Sequence, residues 1–210
     1  MEVLAASANE TNTNRGRGRP RSEVTRQRIL DAALETLQES GFTSSTTDSI
    51  AERAGASKAT IYRWWPTKAS LLAEALRESV AEEVPFPETG DLATDIELQL
   101  HNFIGLLNGR LGKAFKAFVG AAQSDPEVAA AFLEEWVKPR RKEAKTVLEQ
   151  YQVNGQIAAE VDLDLVLDLL YGPLYFRLLS GYGALTSEYA RRVTGFALNG
   201  LASQRACSIG

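Results

Sequence analysis

Residues 46–68, TTDSIAERAGASKATIYRWWPTK, leave little choice of local structure. Thr46 or Thr47 can cap a short helix in which Ile50, Ala51 and Ala54 share the inward face. Gly55 and Ala56 make a turn, and Ser57 caps a second short helix that ends before Pro66. Proline cannot continue the hydrogen-bond ladder, and it pushes the preceding Trp65 out of the α region. Thr67 caps a further helix carrying Leu71, Leu72, Ala75 and Leu76 on its apolar side. Two short helices joined by a tight turn with glycine predict a helix-turn-helix over 46–65.

The remaining chain follows the same period. Ile29, Leu30, Ala33, Leu34 and Leu37 predict a helix closed by Gly41. PFPETG at 85–90 breaks the pattern and marks a subdomain boundary. Beyond it, 91–108 and 111–122 read as helices. Asp125-Pro126 opens a longer one that Pro139 should kink or divide and Gly155 should end. Residues 162–181 are apolar on several sides, with a kink expected at Gly172-Pro173, and 187–202 form a last amphipathic helix. Convincing strand patterns and fixed-period repeats are absent. The expected fold is all-α, with a three-helix N-terminal domain at 22–82 and a helical domain at 83–206 behind a disordered arm at 1–21.

Composition narrows the class. At 210 residues, 44% apolar and 24% charged, the chain reads as an ordinary globule of one or two domains. No apolar run reaches the roughly 18 residues of a membrane span. The N-terminus lacks the apolar stretch and cleavage site of a signal peptide, so no membrane association and a cytoplasmic location are expected. One cysteine, Cys207, excludes an intrachain disulfide, and one distant histidine, His101, makes with it a poor metal site. With no Gly-rich phosphate loop and no nucleophile–base set, neither an enzyme nor a cofactor or metal is expected. Charge is uneven. Residues 1–77 hold 11 Lys/Arg and 9 Asp/Glu, a balance of +2, while 78–210 hold 12 and 18, a balance of −6. Arg15, Arg17, Arg19 and Arg21 lie just before the first helix, a pattern common in arms that bind nucleic acid; the alternative is a solvated tail.

A helix-turn-helix places its second helix in the DNA major groove. On a wheel of about 100° per residue, Ile61 and Trp65 fall on one side, which is core. Ala59, Thr60 and Arg63 cover the opposite arc. Arg63 can offer two donors to a guanine edge, and Thr60 can serve base or phosphate. Lys58 and Tyr62 sit on a flank suited to backbone phosphates, and Trp64 on the other flank, suited to sugar and phosphate. Lys68, in the first turn of the next helix, can offer a backbone N–H to a phosphate.

These residues carry a resemblance. IL-AA within 29–33, GF at 41–42, TTDSIAERAGAS at 46–57, TIYRWWPTK at 60–68 and Leu71-Leu72 resemble the DNA-binding domain of TetR/AcrR-type transcriptional regulators over 22–82. AQSDPE at 122–127, PRRKEAKTVLE at 139–149 and GPLYFRLL at 172–179 resemble one regulator subgroup more weakly. The resemblance implies DNA-binding roles for Thr47, Lys58, Ala59, Thr60, Tyr62, Arg63, Trp64 and Lys68, with Ser57 as the capping neighbour. Trp64 stands where many members have histidine, and Asp48 where some have a basic residue. Asp48 would repel phosphate and reads as a helix N-terminal charge.

For the C-terminal part the resemblance implies a domain that binds a small effector and makes a homodimer. The apolar excess of 162–181 agrees, since one amphipathic face cannot hold it; with 187–202, a second copy would complete a four-helix bundle. A fully buried central helix in a monomer is the alternative. Phe103, Phe115, Phe118, Phe132, Trp136, Tyr171 and Tyr175 are candidate walls for an effector pocket, each also readable as plain core, with His101 or Arg177 as a polar handle. Few charges lie among these rings, which favours a largely apolar ligand. The function expected is a regulator, in the repressor sense, binding palindromic double-stranded DNA. The rival is a helical ligand-binding or adaptor protein with a non-functional helix-turn-helix.

Overall fold

The computed structural model describes residues 19–203, with backbone only for 19–22, 82 and 200–203. Residues 1–18 with Arg15 and Arg17, and the tail with Cys207, lie outside the described residues. The fold is all-α, as the periodicity predicts. The helices are α1 (Arg19–Ser44), α2 (Thr47–Ala54), α3 (Lys58–Trp64), α4 (Lys68–Glu83), α5 (Leu92–Asn108), α6 (Arg110–Ala122), α7 (Pro126–Ala131), α8 (Lys138–Val153), α9 (Leu163–Ser180) and α10 (Ser187–Ser203). A π-helical stretch, Phe132–Val137, joins α7 to α8. Helix α1 begins at Arg19, inside the stretch assigned to the arm, so Arg19 and Arg21 stand on its first turns; their side chains are outside the described residues.

Local chemistry sets the boundaries near the N-terminus. Gly41 takes φ 73° and ψ 176°, interrupting α1 where the sequence predicts its close. Thr46, rather than Thr47, caps α2 in a reciprocal box with Ser49. Gly55 ends α2 in the left-handed region at φ 60°, ψ 38°, and the N–H groups of Gly55 and Ala56 return to the carbonyls of Glu52 and Ala51. A side chain at that φ carries a steric penalty that glycine escapes. Ser57 caps α3, Trp65 leaves the helix at φ −124°, ψ 115°, and Thr67 caps α4 in a second box with Ser70.

Pro139 behaves as a divider. It has no N–H to return to the carbonyl of Glu135, and the segment before it is wound as a π-helix between α7 and α8. At Gly172-Pro173 the helix is not divided. Helix α9 is one element from Leu163 to Ser180 with Pro173 inside it.

Two cores share the molecule. One gathers Ile29, Leu30, Leu37, Ile50, Ile61, Trp65, Leu71 and Leu72 from α1–α4, together with Phe118 of α6 and Val128 of α7. The other is built from α5, α6, α8, α9 and α10 and reaches α4 at Leu76 and Val80. The N-terminal head is therefore seated on the body through α1 against α6 and through α4 against α7 and the π-helical stretch. Phe42 and Phe118 meet edge to face at 5.2 Å across this seat.

Candidate functional site

Helix α3 is anchored by two residues. Ile61 and Trp65 are buried, and the indole N–H of Trp65 donates to the Glu74 carboxylate on α4. Arg26 of α1 binds the same carboxylate and also Glu78 at 2.6 Å. Burial works against the Arg26 charge, but its hydrogen bonds to Glu78 and Glu74 outweigh that and raise its pKa further. Arg53 ties α2 to α1 through Glu39 at 2.6 Å and Glu35 at 3.2 Å. The helix-turn-helix is thus held from behind, and its front is left open.

That front carries the predicted side chains. Lys58, Ala59 and Arg63 are exposed, Tyr62 is 50% exposed and Trp64 37%, while Trp65 is 2%. The three rings divide as the wheel predicts. Ser57 Oγ and Thr60 Oγ1 lie 2.9 Å apart, and the Tyr62 hydroxyl donates to Thr47 Oγ1 at 3.4 Å, bridging α3 to the start of α2. One pairing was not legible in the sequence: Lys58 Nζ meets Asp48 at 2.7 Å, and this hydrogen bond favours the charged lysine. Asp48 is a helix N-terminal charge, as expected, and also a partner for the first residue of α3.

The side chain of Lys68 is not on the open front. Its ammonium turns inward, donating to the Phe42 carbonyl at 3.1 Å and lying 4.4 Å from the Phe42 ring centre. Burial lowers its pKa, opposed by Asp125 and Glu127. Its backbone N–H lies in the first turn of α4, just after the Thr67 cap.

The body holds a cavity of about 280 Å³, near the lower end of the range for ligand sites, roughly 300–1,000 Å³. Of the sequence candidates, Phe103, Phe132, Trp136, Tyr171 and Tyr175 line it. Phe132 and Trp136 stack at 6.4 Å with an 8° tilt, one turn apart on the π-helical stretch. The Trp136 indole donates to the Tyr175 hydroxyl at 3.3 Å, and burial pushes the Tyr175 phenol up to about 12.

Four candidates fall elsewhere. His101 is exposed, because two positions along α5 turn it about 200° from Phe103. Phe115 is fully buried behind the wall, touching the rings of Phe103, Trp136 and Tyr175. Phe118 belongs to the seat of the head. Arg177 faces α10, where it donates to the Ala184 carbonyl at 2.6 Å and stacks over Tyr189 at 3.5 Å. Sequence reasoning missed Phe86, Arg140, Arg141 and Leu167, which also line the cavity. The run PRRKE in the sequence signalled the two arginines, but their direction depends on α8 packing beside α9.

The apolar excess of α9 is sorted onto two faces. Leu163, Val166, Leu167, Leu170 and Leu174 are buried, and Leu165, Leu169 and Phe176 are exposed. On α10, Phe196 is 72% exposed beside them, and residues of both helices line one open groove. Among the described residues, no helix is long and apolar enough to cross a membrane, and no group of acidic, histidine or cysteine side chains has the arrangement of a metal site.

Known proteins agree with this layout. Residues 29–75 match the family described as bacterial regulatory proteins, tetR family, and 86–197 match the tetracyclin repressor-like C-terminal domain. The HTH-type transcriptional regulator YdeS of Bacillus subtilis is 37% identical over 182 residues, spanning 87% of this chain and 92% of YdeS. The regulator Rv1556 of Mycobacterium tuberculosis is 33% identical over 71% of this chain and 73% of its own. The solved TetR family regulator SCO0332 superposes with a TM-score of 0.77 at 30% identity, covering 84% of this chain and 97% of that one. With both halves matched and the helix-turn-helix intact between its caps, the chain belongs to the TetR family of DNA-binding transcriptional regulators, and it is a regulator rather than an enzyme.

Proposed function

We propose that the protein acts as a repressor, binding a near-palindromic operator as a homodimer and leaving it when a small, largely apolar effector occupies the body cavity. One observation carries this reading: α3 presents Lys58, Ala59, Tyr62 and Arg63 to solvent while Ile61 and Trp65 fasten it from behind. Arg63 reads a guanine edge, with Ala59 allowing close approach and Thr60 serving base or phosphate. Thr47, Ser57, Lys58, Tyr62, Trp64 and the N–H of Lys68 hold the phosphate backbone, and Arg15, Arg17, Arg19 and Arg21 extend that hold.

The exposed face of α9 and α10 supports the dimer, with Leu165, Leu169, Phe176 and Phe196 as its apolar centre. Helix α4 supports the coupling. Through Glu74 it holds Trp65 and Arg26, and it also packs on the π-helical stretch that carries Phe132 and Trp136. An effector that favours one position of that stretch shifts α4, and the paired heads then move apart or together.

Selection of sites from random duplex DNA tests the proposal. Half-site centres should lie about one helical turn, roughly 34–36 Å, or a multiple of it apart. Removing residues 1–18 takes away Arg15 and Arg17 and should flatten the salt slope by roughly 0.9 for each phosphate that is no longer neutralised. A chain that selects no site and sediments as a monomer with and without DNA would end this reading.

A further inference from the structure

Gln99 of α5 is 5% exposed, and neither its amide nitrogen nor its amide oxygen has a hydrogen-bond partner among the described residues. Buried polar groups are paired as a rule, so an amide with both atoms idle calls for a reason. The side chain lines a small cavity of about 30 Å³, room for about one water molecule. That cavity adjoins the larger one: Phe86, Ala144, Leu167 and Tyr171 line both. Gln99 therefore stands in a small cavity next to the larger one, with Tyr171 in the wall common to both. Burial pushes the Tyr171 phenol up, and an interaction with the Gln99 side chain opposes that rise, although the two groups do not reach hydrogen-bond geometry.

Charge limits what can reach this end. Arg141 is engaged by Asp168 at 2.5 Å and Asp164 at 3.1 Å, and Arg140 by Glu143 at 2.9 Å, so both cations already have carboxylate partners. Asp95 lines the small cavity beside Gln99. Its carboxylate accepts from the Thr89 hydroxyl at 2.5 Å and from the Tyr151 hydroxyl. Burial opposes its charge, but these hydrogen bonds hold its pKa below the ordinary carboxylate value. A carboxylate or phosphate arriving at Gln99 would face that negative charge within a small, mostly apolar cavity. A primary amide, in contrast, presents one acceptor and one donor side by side, and the group that satisfies both together is another amide edge.

We infer that the effector is an uncharged aromatic molecule bearing an amide edge, with Phe103, Phe132 and Trp136 holding its ring and Gln99 reading the edge. The Gln99 N–H donates to the ligand carbonyl, and the Gln99 carbonyl accepts the ligand N–H. Tyr171 turns aside to join the two cavities. This rests on reading the body cavity as the effector site.

Titration calorimetry on the full chain tests it with three probes of one shape: 2-naphthamide, 2-naphthoate and 2-acetylnaphthalene. The amide should bind about tenfold tighter than the ketone, which lacks the N–H, and tighter still than the carboxylate. Gln99→Leu should erase the preference for amide over ketone and weaken ketone binding by no more than its one lost hydrogen bond, which shows the pocket intact. Gln99→Met repeats the test if thermal unfolding shows that leucine disturbs α5. An undiminished amide preference in both variants, a preference for the carboxylate, or no binding of any probe overturns the inference and leaves Gln99 to a buried water. Operator affinity measured on the same samples keeps the two readings apart. Gln99-dependent binding that leaves operator affinity unchanged sinks the effector reading. Operator release by a ligand indifferent to Gln99→Leu sinks only the amide edge.

Discussion

Rings crowd together in two places in this chain, around α3 and around the body cavity, and each crowd is ordered in its own way. At α3 the rings are near neighbours in sequence and part company in space: Trp65 enters the core, while Tyr62 and Trp64 stay in solvent. Around the cavity they come from α5, the π-helical stretch and α9, far apart in sequence, and converge on one space. The first arrangement follows from caps, a glycine and a proline within about twenty residues. The second follows from how helices pack. A surface meant to meet a large, rigid partner can be specified locally. A site meant to enclose a small molecule needs walls from several elements.

The two regions can be pulled apart by substitution, and the largest effect expected is at Trp65. Trp65→Ala removes a buried ring together with the hydrogen bond to Glu74, and should cost about 3–5 kcal/mol. Because the core behind Trp65 includes Phe118 and Val128, chemical denaturation should still show one transition, shifted as a whole. An early, separate transition of the head would show that the seat on the body is weaker than its packing indicates.

Asp95→Asn should cost about 1.5–3 kcal/mol, the worth of hydrogen bonds to a charged group, and should act on the body. The pH dependence has a definite sign. The folded pKa of Asp95 lies below its ordinary value of 3.8, so its contribution is fully present above that value and is lost as pH falls through the lower folded pKa. Urea midpoints followed from pH 6 down to pH 2 should fall steeply in the parent and less steeply in the variant. Parallel acid limbs would show that Asp95 is not a source of the acid sensitivity.

Arg63→Ala should cost about 1–3 kcal/mol of operator affinity and relax preference at one base pair, without moving the unfolding midpoint. Tyr62→Phe, read beside it by site selection, should weaken all sites about equally. Identical selectivity for Arg63→Ala and the parent would remove Arg63 from the reading surface. The smallest effect belongs to Ser57→Ala, which removes the cap on α3 and should cost about 1 kcal/mol. If it leaves both stability and operator affinity unchanged, α3 is held by Ile61 and Trp65 alone.

Much of the head was legible because its signals are short in range. Thr46, Gly55, Ser57, Pro66 and Thr67 act on backbone within a few positions, and each acts in the structure as the sequence predicts. The inward turn of Lys68 was not legible, because its partner is the Phe42 carbonyl 26 positions earlier. The pairing of Lys58 with Asp48 was hidden for the same reason, since the turn between α2 and α3 decides how close the two helices come. In the body, aromatic residues were visible as a class, yet His101, Phe115, Phe118 and Arg177 could not be separated from the true walls by spacing within single helices. Gln99 carried no signal at all: an amide in an apolar helix announces itself only when every neighbour fails to pair with it.

The sequence by itself determined the all-α class, the helix-turn-helix with its caps and the division of the three rings at α3, because each depends on the period of one helix or on the backbone limits of glycine and proline. Only the tertiary structure decided which rings face a cavity, which leucines of α9 are left exposed, and what surrounds Gln99 and Asp95. Those outcomes depend on the angles at which distant helices cross, and these are set by the fit of whole side-chain surfaces rather than by any local pattern.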